Sequence, residues 1–89
     1  MITTKIIIIN KLGLHARAAA KFVATSSKFA SEFVIIKNNQ NVNGKSIMGV
    51  MMLAASKGTE LELQANGADE QELINAISSL INNKFDEKE

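Results

Sequence analysis

Gly13-Leu14-His15-Ala16-Arg17-Ala18-Ala19-Ala20-Lys21-Phe22-Val23 reads as a bend that breaks directly into a helix, and it carries the chain's only histidine. From Ala16 onward strong helix formers dominate, while Gly13 marks the bend, so a helix starts at or just after His15. No Ser, Thr, Asp or Asn stands between Lys11 and Ala18. The oxygen acceptors that usually satisfy the free N–H groups of a first helical turn are therefore missing. Arg17 and Lys21 add cations at the positive end of the helix dipole, which costs roughly 0.3–1 kcal/mol where exposed. One anion, resting on those N–H groups and in the planar donor fork of Arg17, resolves both conflicts. A phosphoryl group fits that description, and if His15 carried it the imidazole would be a nucleophile rather than a metal ligand. A lone histidine in such a place more often packs or caps locally. Its context decides the matter.

Outward from this stretch, residues 2–9 are rich in β-branched side chains and bounded by Asn10-Lys11, which predicts a strand. Four consecutive isoleucines predict burial on both of its faces or at a subunit contact. The helix is expected over 16–27, burying Ala19, Phe22 and Val23. Residues 33–37 form a second strand and 40–43 a third, joined at Asn38-Asn39 as a hairpin. Ser46 is a favourable N-cap for a short helix over 47–53. Glu60-Leu61-Glu62-Leu63-Gln64-Ala65 alternates as a half-buried strand with Leu61, Leu63 and Ala65 inward. Asp69 with Glu72 suggests a capping box, followed by a last helix with Leu73, Ile74, Ile77, Leu80 and Ile81 on one face. The order βαββαβα means a two-layer α+β domain with helices on one face of an antiparallel sheet, and a ferredoxin-like arrangement is also compatible with it.

At 89 residues the chain makes one small domain, 1–89, with 86–89 expected to fray. A hydrophobic content of 46% argues for a packed core. The net charge of +1 gives no general attraction to nucleic acid or to an anionic membrane. There is no cysteine, hence no disulfide and no thiolate metal site, which suits a reducing cytoplasm. The apolar run at 6–9 is too short to span a membrane and lacks the features of a signal peptide, so a soluble cytoplasmic protein is expected.

Asn10-Lys11-Leu12-Gly13-Leu14-His15-Ala16-Arg17, with the Ala-rich helix ending Lys21-Phe22-Val23, closely resembles the phosphorylation site of the HPr family. These are the histidine-containing phosphocarrier proteins of the bacterial phosphoenolpyruvate:sugar phosphotransferase system. The stretch from Asn43 to Thr59 resembles the family's regulatory serine segment and its helix, and the resemblance runs from about residue 2 to residue 85. It implies an open-faced β-sandwich, with four antiparallel strands in the order 1-4-2-3 and three helices on one side. It also implies that His15, through Nδ1, accepts a phosphoryl group from phosphorylated enzyme I and passes it to IIA domains of sugar permeases. Arg17 and the amides of Ala16, Arg17 and Ala18 would bind that group.

Ser46 would be the regulatory phosphorylation site of a dedicated HPr kinase/phosphorylase, with transcriptional regulators among the partners. Ala16, Arg17, Ala20, Lys45, Ile47, Met48 and Met51 would form the docking surface, with Arg17 and Lys45 at its polar rim. The carrier would need no metal or cofactor, would not itself be an enzyme, and would be a monomer because several partners dock on it. Two departures from the family stand out. Ala18 occupies the place of the usual proline, which adds one N–H donor, and Ala24 and Ser27 occur where some members carry lysines.

Other functions are less well supported. Gly44-Lys45-Ser46 echoes the end of a phosphate-binding P-loop, but Asn39 stands where that motif needs glycine. An RNA-binding sheet would want exposed aromatics and a basic face, and the chain has no Tyr or Trp. A regulatory interaction protein, of the nitrogen-related branch or acting through Ser46, is the remaining alternative, and His15 argues for relay competence.

Overall fold

β1 (Ile2–Ile7), α1 (Ala16–Ser26), β2 (Glu32–Lys37), β3 (Gln40–Asn43), α2 (Ile47–Met52), β4 (Glu60–Asn66) and α3 (Glu70–Asn82) follow one another in a computed structural model that describes residues 1–88. The strands form one antiparallel sheet in the order β1-β4-β2-β3. β4 lies inside the sheet, paired with both β1 and β2, and its alternation puts Leu61, Leu63 and Ala65 into the core. That inner face is covered by Ala18, Ala19 and Phe22 of α1, Val50 of α2, and Leu73, Ile74, Ile77 and Ile81 of α3. Phe22 stacks on Phe33 with ring centroids 5.8 Å apart. The βαββαβα order and the sheet order 1-4-2-3 are those expected.

β1 departs from its expected burial. It ends at Ile7 rather than residue 9, and its residues alternate between half-buried and exposed. As an edge strand paired only with β4, it has one face to bury, and Ile7 remains 49% exposed. Ile8 turns inward to complete burial, and its N–H and C=O pair with Thr59 O (2.9 Å) and Gly58 N (2.7 Å). The β2–β3 hairpin uses Asn38 and Asn39 at φ 49° and 68°, the left-handed pair that matches the twist of two antiparallel strands.

The capping box does not form. The Asp69 carboxylate makes no cap bond and instead accepts the N–H groups of Ala30 (2.8 Å) and Ser31 (2.9 Å) and the Ser31 hydroxyl. The loop before β2 supplies those donors, so tertiary contact outcompetes the local cap. Glu70, rather than Glu72, reaches back, accepting from Gly67 N at 3.1 Å.

Of the tail 86–89, which the sequence expects to fray, the structure describes residues up to Lys88, and Glu89 lies outside the described residues. Lys84, Phe85 and Asp86 form a short left-handed turn at φ 56°, 55° and 62°. It buries Phe85 completely and returns Glu87 to the body of the protein.

Candidate functional site

Gly13 sets the site. Its φ of +67° favours glycine, and a Cβ there would stand 2.4 Å from the carbonyl oxygen of Ala55. Leu14 N donates to that same oxygen at 2.8 Å, so the bend is clamped to the segment following α2. His15 comes next as the N-cap of α1, in an extended conformation, and its side chain makes no cap bond. Its carbonyl accepts the first helical bond, from Ala19 N at 2.8 Å. The amides of Ala16, Arg17 and Ala18 precede that bond, so no carbonyl within the helix can take them. The Ala18 side chain is fully buried, which leaves its backbone as the part able to serve a ligand.

The imidazole is part-exposed, and its Nε2 is hydrogen-bonded to Oε2 of Glu87. Glu87 Oε1 accepts from Nδ2 of the fully buried Asn10 at 2.9 Å, and the same amide donates to Gly13 O at 2.9 Å. Desolvation pushes the Glu87 carboxyl upward. The hydrogen bonds from Asn10 and His15, and the charges of His15 and Lys21, outweigh it and hold the group below its ordinary value. Lys21 Nζ donates to Phe85 O at 2.7 Å, tying the tail turn to α1.

His15, Arg17, Lys21 and Glu87 line one open hollow with Lys11, Leu12, Asp86 and Lys88. Four cationic side chains face two anionic ones among these described residues, which favours an anionic ligand beside the ring. Unattached amides, a guanidinium and an imidazole nitrogen together can receive and hold a phosphoryl group.

The expected docking residues divide. Ala16, Arg17 and Ala20 are exposed on α1. Ile47, Met48 and Met51 are exposed on α2, while Val50 and Leu53 are buried in the core. Lys45, expected at the polar rim, is half-buried, and its Nζ donates to Phe29 O at 2.6 Å. Leu12 and Met52, each about two-thirds exposed, extend the apolar surface and had not been expected there. Ser46 caps α2, its Oγ accepting from Gly49 N at 3.1 Å. Glu87 and Asn10 were also unforeseen as site residues, the first because it lies 72 positions from His15 and the second because its role depends on Glu87. No helix among the described residues is long and apolar enough to cross a membrane.

A family model described as PTS HPr component phosphorylation site matches residues 2–83. The phosphocarrier protein HPr of Neisseria meningitidis serogroup A is 58% identical over 100% of both chains. That of Pseudomonas aeruginosa is 56% identical over 96% of each. Among solved structures, HPr from Thermoanaerobacter tengcongensis superposes with a TM-score of 0.96 at 50% identity, covering 100% of both chains. Crh, the Bacillus subtilis catabolite repression HPr, superposes with a TM-score of 0.66 at 42% identity, covering 90% of this chain and 95% of that one.

Proposed function

This chain belongs to the HPr family and is a phosphocarrier of the phosphotransferase system, and on that premise we propose how its residues do the work. Nδ1 of His15 attacks the phosphoryl group of phosphorylated enzyme I. The N–P bond forms as the donor's own bond to phosphorus breaks, its electron pair leaving on the donor. Arg17 and the amides of Ala16, Arg17 and Ala18 hold the phosphoryl oxygens. The group then passes to the IIA domain of a sugar permease, so it must be held well enough to survive and loosely enough to leave.

One observation supports this reading above the others. His15 stands uncapped at the start of α1, in one hollow with Arg17 and beside three amides that the helix cannot satisfy.

The same reading extends to the rest of the chain. It acts in the cytoplasm as a carrier rather than as an enzyme, and folds as one domain. Partners dock on the exposed faces of Ala16, Ala20, Ile47, Met48 and Met51, with Arg17 at the edge of that apolar centre. Ser46 takes a regulatory phosphate from a dedicated kinase. A phosphate there is compatible with the N-terminus it caps, and it places negative charge next to the docking surface.

Onward transfer is the test. Chain phosphorylated with labelled phosphate and freed of donor is mixed with a IIA domain. Passage of the label to that domain within the assay supports the carrier reading. Label that stays on the chain, with the IIA domain shown to accept phosphate from another carrier, contradicts it.

A further inference from the structure

We propose that Glu87 is a positioning residue for His15: its carboxylate holds the Nε2–H of the imidazole and leaves Nδ1 as the nitrogen that takes the phosphoryl group. This rests on the nucleophile assignment above. A neutral imidazole has one N–H and one lone pair, and an ionised carboxylate only accepts. With Glu87 Oε2 on Nε2, the proton belongs on Nε2 and the lone pair on Nδ1.

The carboxylate is itself held. Asn10 Nδ2 donates to Glu87 Oε1 and to Gly13 O, both at 2.9 Å, so the group that orients the ring is tied to the bend that places it. Asn10 is fully buried, an environment in which an amide keeps its orientation only through such bonds. Glu87 also reaches His15 through an unusual piece of backbone. Lys84, Phe85 and Asp86 all adopt positive φ, a conformation that side-chain-bearing residues avoid and that persists only where surrounding contacts enforce it. Two contacts do so here: burial of Phe85, and the bond from Lys21 Nζ to its carbonyl. The product of that turn is the approach of Glu87 to the ring.

The carboxylate serves the phosphorylated state as well. When Nδ1 bonds to phosphorus and the donor departs with its electron pair, the ring retains its Nε2 proton and becomes cationic. The negative charge of Glu87 then faces that cation directly, while the phosphoryl oxygens are left to Arg17 and the α1 amides.

Phosphoramidate, a small phosphoryl donor that needs no partner protein, tests this on the full chain. Attack by Nδ1 forms the N–P bond and releases ammonia, and phosphorus–nitrogen coupling in NMR distinguishes the Nδ1 from the Nε2 product. The native chain gives the Nδ1 product alone. Glu87→Ala, whose effect on folding is checked by thermal melting, yields the Nε2 isomer as well. It also forms the Nδ1 product about tenfold more slowly, by analogy with the lower end of the loss seen when the carboxylate that orients a metal-bound histidine is removed. Glu87→Gln is intermediate in rate, because its amide cannot accept from Asn10 and His15 together.

Nδ1 phosphorylation of Glu87→Ala at the native rate, with no Nε2 isomer, overturns the proposal. So does a faster reaction in that variant, which would make the tail an obstruction. A native chain that takes no phosphate on its histidine would instead overturn the nucleophile assignment, and that failure appears without any variant.

Discussion

At the scale of the residue, His15 and Arg17 stand out in the sequence as candidates because their signal is local. An uncapped, cationic helix start conflicts with two rules at once, and an anion resolves both. Arg17→Ala should slow phosphoryl acceptance roughly 10- to 100-fold, the equivalent of one charge-assisted hydrogen bond, as read by rapid-quench assays with a phosphorylated donor. Gly13→Ala should destabilise the fold by about 1–3 kcal/mol, measured by urea unfolding, because its φ is +67° and a Cβ would meet Ala55 O at 2.4 Å. Glu87 could not have been found this way. Its partner lies 72 positions away, the run around it has no periodicity, and its approach depends on a left-handed turn that no residue type in the segment announces.

Elements were legible wherever period and punctuation agreed. The alternation of β4, the Asn38-Asn39 turn and the Ser46 cap all stand where the sequence puts them. Ser46→Ala should cost about 1 kcal/mol in thermal melts, from loss of the bond to Gly49 N, while leaving phosphoryl acceptance by His15 near the native rate. Errors arose where a long-range partner outcompeted a local one. Asp69 had the sequence of a cap yet binds Ala30 and Ser31 across the fold. Of the two readings of the isoleucine run, burial on both faces fails for a related reason. Composition predicts strand, but only the sheet order decides that β1 is an edge with one face to bury.

For the whole molecule, the carboxylates that bind loops together tie stability to pH. Hydrogen bonds from the Ser31 hydroxyl and the Ala30 and Ser31 amides lower the Asp69 carboxyl below its ordinary value of 3.8. Chiefly the bond from Gly67 N lowers that of Glu70 below 4.5. The Glu87 carboxyl is also lowered, its hydrogen bonds and neighbouring cations outweighing desolvation. A carboxyl depressed in the folded state binds protons more readily when unfolded. The stability it contributes is therefore present above its unfolded value and lost as pH falls through the folded one. Urea midpoints should stay level from neutral pH down to about pH 5 and then decline steadily. Asp69→Asn should lower the neutral midpoint and make the decline shallower. The topology was legible through resemblance as much as through pattern, because βαββαβα alone also fits a ferredoxin-like sheet.

The most direct measurement is intact mass after incubation with phosphoenolpyruvate, Mg²⁺ and enzyme I, comparing the native chain with His15→Ala. The native chain should gain one acid-labile phosphate, and the variant none. A native chain that gains no phosphate from an enzyme I active on another carrier, or a variant that gains the same acid-labile phosphate, would contradict the placement of the phosphoryl group on His15.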